Sequence, residues 1–168
     1  MSIQKIYQYP ETVLRKETQK IDTFDSSLAA LVEDMAETMY DAPGIGLAAP
    51  QIGRSLKLIV VDMSEDKQGE KKYIPMINPE IIAHEGTQID EEGCLSVPEL
   101  TANVKRHLTI TVAYQDLQGQ AHEISTQDRF AVVLQHEIDH LNGILFIDHL
   151  SPLKRGLYKK KVKKWLEK

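Results

Sequence analysis

With 168 residues, 42% of them hydrophobic and 27% charged, the chain can bury one good core but not two, so a single domain over 1–168 is expected. No apolar run reaches the roughly 18 residues of a membrane span, the start MSIQKIYQYPETVLRKE lacks a signal peptide's apolar centre, and a single cysteine excludes an internal disulfide, so a reducing cytoplasm and no membrane are expected. The net charge of −5 is uneven: residues 151–168 hold eight Lys or Arg against Glu167, while the other 150 residues carry twelve bases and 24 acids. A basic tail on an acidic body is either a solvated helix face or a handle for an acidic partner such as RNA.

In chain order, Asp25-Ser26-Ser27 offers an N-cap, and Leu28, Leu31, Val32, Met35 and Met39 follow at helical spacing. That helix should stop before Pro43-Gly44. Lys57–Met63 is short, apolar and β-branched, the pattern of a buried strand. Ile74–Ala83 is extended but carries Pro75 and Pro79, which predicts an irregular or edge strand. His107–Tyr114 alternates as a strand and turns through 117–120 into a short partner at Ala121–Ile124. A second helix is expected from Ser125 or Thr126, with Asp128 in its first turn, to Asn142-Gly143; it is apolar on most sides and therefore central. Ser151-Pro152 caps a third. The order implies an α+β fold of mostly antiparallel or irregular strands around the central helix, closed by a C-terminal helix.

The central helix carries His136-Glu137-Ile138-Asp139-His140. Residues four apart share a helix face, so both imidazoles can reach one cation, and Glu137 can take a proton from water that the cation acidifies. Two imidazoles and a carboxylate on an otherwise apolar helix are costly without a partner. A catalytic site wants a third protein ligand. The extended pattern would put a histidine where Phe146 stands, and the only downstream glutamate is Glu167, one residue from the terminus. Cys94 remains, in Glu92-Gly93-Cys94-Leu95-Ser96. An isolated cysteine is ordinarily a small buried hydrophobe, but Glu91 and Glu92 before it argue against a merely apolar setting. Gly44-Ile45-Gly46-Leu47-Ala48-Ala49-Pro50-Gln51 superficially satisfies a dinucleotide fingerprint, yet it follows a helix and runs into Pro50 and a strand. It reads better as a tight loop that brings backbone groups and Gln51 to a site, where a side-chain amide can stabilise an oxyanion.

Together, GIGLAAPQ (44–51), EGCLS (92–96) and QHEIDH (135–140) resemble the three signature segments of peptide deformylases of the bacterial type with a C-terminal helix. The resemblance implies an enzyme that removes the N-formyl group from formyl-methionine on nascent chains, releasing formate. It implies Cys94, His136 and His140 as metal ligands, Glu137 as general base and then acid, and Gln51 with the Leu95 N–H as oxyanion donors. Gly44, Ile45, Gly46, Val132 and Val133 would bind substrate, with Arg129 and Thr101 at the rim. Arg106 matches a position expected to pair with a buried Asp139 and so tie the Cys94 segment to the helix. The resemblance favours Fe2+, with Zn2+, Ni2+ or Co2+ as alternatives, and ribosome docking through the C-terminal helix; a monomer is expected from the size of the chain. The residues alone also allow a zinc peptidase with a cysteine ligand, a cysteine hydrolase with Cys94 as nucleophile, or an RNA-binding module built on the basic tail.

Overall fold

The computed structural model describes residues 2–64 and 71–168. The Asp25 carboxylate accepts a hydrogen bond from the Leu28 N–H (3.1 Å) and caps α1 (Ser26–Asp41), as its sequence predicts. The next segment forms a short strand, β1 (Gly46–Ala48), followed by a 3-10 turn over Ala49–Ile52. The predicted glycine loop is therefore partly an edge strand. It pairs antiparallel with β2 (Leu58–Asp62), and the sheet continues through β3 (Tyr73–Cys94), β4 (Val97–Gln115) and β5 (Ala121–Gln127) in the order β1-β2-β3-β4-β5.

The continuous apolar sequence of β2 has a simple cause. Leu58 and Val60 pack with α1, while Ile59 and Val61 pack with α2 (Asp128–Leu141) on the opposite face. Helix α2 touches all five strands, so it is central as expected. A third apolar cluster joins Leu14, Val97, Val104 and Phe146 to Tyr158 and Val162 of α3 (Pro152–Leu166). The Tyr158 hydroxyl donates to the Pro98 carbonyl (2.9 Å), fixing α3 to the start of β4.

Several expectations need correction, among them the strand expected at His107–Tyr114, which begins at Val97, and its partner, which runs on to Gln127. Of the two expectations for Ile74–Ala83, irregular holds and edge does not: β3 lies between β2 and β4, and its register slips beside Pro79, between Ile77 and Glu80. It also runs on to Cys94, through His84–Glu91, where both faces are largely exposed and leave no alternation to read. The second helix starts at Asp128 rather than at Ser125 or Thr126. Ser125 Oγ pairs across the sheet with Thr111 Oγ1 (2.8 Å), and Thr126 and Gln127 stay in register with Ile110 and Thr109.

Candidate metal centre

Chain connectivity puts the site where a hairpin tip meets a helix. Cys94 pairs with Val97, so Leu95-Ser96 is a two-residue turn at the end of the long β3–β4 ribbon. This tip lies over α2 and presents Cys94 to His136 and His140. The three donor atoms lie within 4.8 Å of one another, and Cys94 Sγ is 3.5 Å from His140 Nε2. A tetrahedral ion with bonds of about 2.3 Å to sulfur and about 2.0–2.1 Å to nitrogen sets such donors about 3.5 Å apart; the Cys94–His140 pair has that spacing, and one thiol with two imidazoles is a donor set that suits such an ion. Charge favours the same conclusion. Burial pushes both imidazoles towards the neutral form, and His140 is held well below its ordinary pKa by burial and by its positive neighbours His136 and Arg106. At His136 burial is outweighed by Cys94 and Glu92, which favour positive charge between them.

Glu137 is buried beside these three candidate donors, and its Oε1 has no hydrogen-bond partner among the described residues. Its pKa is raised to about 7, chiefly by burial, with Glu92 adding to the rise and His136 and Arg106 opposing it. A carboxyl poised near neutrality can take up and return a proton. Gly46 is what lets it sit there: a Cβ at Gly46 would lie 2.5 Å from Glu137 Oε2. The amide of Gln51 is fixed at both ends. Its oxygen accepts from the Ala48 N–H (2.9 Å), while its nitrogen donates to Ser96 Oγ (3.1 Å) and lies 3.7 Å from Cys94 Sγ.

Behind these three candidate donors lies a charged chain that the sequence revealed only in part. Glu92 Oε1 is 2.9 Å from His136 Nδ1, which leaves Nε2 for a cation. Arg106 donates to both oxygens of Glu92, each at 2.9 Å, and to Asp139, as expected for that pair. Asp139 also meets His149 Nε2 (2.9 Å); it is partly exposed rather than buried. Burial would raise the Glu92 pKa, but Arg106 and His136 together drive it down to about 2. Glu92 and Arg106 share a sheet face, because Glu92 pairs with Ala102 and Arg106 with Gln88. The position that the longer histidine pattern would fill holds Phe146, whose ring stacks on His136 at 6.1 Å.

A cleft of about 770 Å³ opens over the centre. Gly44, Ile45 and Gly46 wall one side, Val132 and Val133 line it from α2, and Leu95 closes it near Cys94. Arg129 and Thr101 stand on its lining, while His140 lies beneath it, 1% exposed. Every residue expected at the site is thus brought together. Glu92, Ser96 and His149 were the residues that sequence reasoning did not single out as parts of it; the only signal was the acid pair preceding the Gly-Cys.

The family described as Polypeptide deformylase matches residues 3–156. A peptide deformylase of Desulfotalea psychrophila is 66% identical over 165 residues, covering 98% of each chain. The crystal structure of a peptide deformylase from Legionella pneumophila superposes with a TM-score of 0.90 at 48% identity, over 99% of this chain and 96% of that one. A deformylase structure from Ehrlichia chaffeensis in complex with actinonin gives 0.90 at 38% identity, over 98% of each.

Proposed function

The chain belongs to the polypeptide deformylase family, and we propose that Cys94, His136 and His140 hold its metal ion while Glu137 moves the protons of the reaction. The activity is hydrolysis of the N-formyl amide of nascent polypeptides, and the family is metal-dependent. When bound, the ion supplies a Lewis acid for the formyl carbonyl and acidifies water. Glu137 takes the proton of the attacking water and returns it to the departing methionyl amine, a double role that its pKa of about 7 suits. The Gln51 amide and the Leu95 N–H stabilise the developing oxyanion, each donor contributing about 3 kcal/mol. Ile45, Val132 and Val133 receive the methionine side chain, and Gly44 and Gly46 offer backbone to the peptide.

Ferrous iron is the ion we assign, with zinc, nickel or cobalt able to replace it in a thiolate-diimidazole set. A cytoplasmic location, where the Cys94 thiol stays reduced, is consistent with it. No helix among the described residues is long and apolar enough to cross a membrane. The chain acts as one domain over 1–168 and as a monomer, and the outward lysines of α3 are available to ribosomal RNA.

The convergence of one thiol and two imidazoles beside Glu137 carries this reading. Glu137→Gln tests it: metal content stays at one ion per chain while formate release from a formyl-methionyl peptide falls at least a thousandfold. Activity within tenfold of the wild type removes Glu137 from the proton-transfer role. A second reading has one observation behind it, since Cys94 Sγ at 3.5 Å from His140 Nε2 is also a thiol–imidazole pair. It requires activity that persists in chelator.

A further inference from the structure

The catalytic cleft does not end at its rim. A second depression, of about 430 Å³, lies between the β3–β4 ribbon and α3. Its wall of Glu91, Leu100 and Thr101 is also a wall of the catalytic cleft. The two are thus neighbouring stretches of one surface, divided by a shared ridge. Past that ridge the chemistry changes. Around the cleft mouth Asp90 and Glu99 supply negative charge and Glu91 stands on the shared ridge, whereas beyond it α3 supplies Lys154 and Lys161, two cations against that one carboxylate. Leu157, 59% exposed, and Leu100 give the floor an apolar strip between those lysines.

The two lysines are not neutralised. Lys161 Nζ lies 3.5 Å from the Glu99 carbonyl oxygen and 5.3 Å from the Trp165 ring centroid, both uncharged partners. Neither lysine forms an ion pair among the described residues. The groove is also held firmly in place, since Tyr158 at its base is buried and anchored to Pro98. By contrast, Lys159, Lys160, Lys163 and Lys164 are exposed and line no part of it.

Resting on the deformylase reading, we propose that this α3 groove is a distal substrate subsite. It holds the nascent chain downstream of the formyl-methionine and favours acidic side chains, which Lys154 and Lys161 receive. Ile45, Val132 and Val133 take the methionine, and Leu100 and Thr101 line both the cleft and the groove, so a chain that continues past this shared ridge enters the groove. A six-residue extended peptide spans about 20 Å, long enough to cross a ridge of side chains. Recognition is electrostatic and partly solvent-exposed, so the effect is modest and salt-sensitive.

The test uses the full-length metal-loaded enzyme and three substrates: formyl-Met-Ala, a formyl-Met hexapeptide ending Asp-Glu after alanines, and the same hexapeptide ending Lys-Lys. Wild type is expected to favour the acidic over the basic hexapeptide by about fivefold in kcat/KM, through KM, with the preference fading at high salt. In Lys154→Glu/Lys161→Glu the preference reverses while formyl-Met-Ala turnover is unchanged. In the control Lys160→Glu/Lys164→Glu, which alters net charge equally, the preference survives. Leu157→Ser, which keeps charge and helix, lowers kcat/KM for the acidic hexapeptide and leaves the dipeptide alone. The proposal is overturned if wild type treats the two hexapeptides alike, if the groove variant keeps the preference, or if the control loses it equally. It is also overturned if the groove variant loses only binding to purified ribosomes, which would give these lysines to RNA. Failure to hydrolyse formyl-Met-Ala at all would remove the deformylase reading itself, a result distinct from every other.

Discussion

Replacing Gly46 by alanine displaces the one group that this account makes responsible for proton transfer, without touching a metal ligand. The added Cβ would lie 2.5 Å from Glu137 Oε2, 2.9 Å from its Cγ and 3.0 Å from its Cδ. Relieving those contacts requires a movement of about 0.7–1 Å, given ordinary carbon and oxygen radii. The helix cannot supply it, because α2 is packed on all five strands and Glu137 is buried. The side chain must therefore turn away from its position beside the ligands. A misplacement of about 1 Å at a reacting group costs roughly 100-fold in rate, or about 2.7 kcal/mol. Stopped-flow or coupled formate release should show kcat reduced by about two orders of magnitude, with metal content unchanged. Gly44→Ala is the internal comparison: its Cβ is tight only against the flexible end of Leu95 at 3.3 Å, with the Gly46 and Met39 carbonyl oxygens at an ordinary 3.7 Å, so its loss should be no more than severalfold. A Gly46→Ala enzyme within threefold of wild type, fully metallated, would refute the claim that this contact positions the base.

Other consequences follow from the charged chain behind the ligands. Arg106→Leu leaves Glu92 and Asp139 without their shared cation, and should cost about 3–5 kcal/mol in urea unfolding and about 10–100-fold in metal affinity; an unchanged urea midpoint would contradict it. The Glu92 carboxyl, held at about 2 against an ordinary 4.5, contributes stability that is present above about pH 4.5 and is lost as pH falls towards 2. Glu92→Gln should therefore lie about 3 kcal/mol below wild type at pH 6, with the difference closing by pH 2. A gap independent of pH would assign the loss to packing instead.

The parts of this arrangement that the sequence disclosed are those with local causes. His136 and His140 share a helix face because they are four residues apart, and Phe146 and Glu167 fail as third ligands by identity and position alone. The caps Asp25 and Ser151 announced α1 and α3. What stayed hidden depends on pairing between distant segments. That Glu92 orients His136 and grips Arg106 follows from the register Glu92–Ala102 and Gln88–Arg106, which no pattern within either strand encodes. The polar run His84–Glu91 hid half of β3 for a related reason: a ribbon exposed on both faces is held by its ladder to β4, not by an apolar side. Helix α2 began later than its composition suggested because Ser125, a plausible cap by type, was already committed to Thr111 across the sheet.

The central claim is that Cys94, His136 and His140 hold the ion on which deformylation depends. Its most direct test is metal content and formate release measured on one anaerobic preparation, before and after chelation and after adding back iron. One iron per chain is expected, with activity lost in step with the metal and recovered on restoring it; Cys94→Ala should neither retain the ion nor turn over. Activity that persists in a chelator but disappears when Cys94 is alkylated would contradict it and make the thiol the nucleophile.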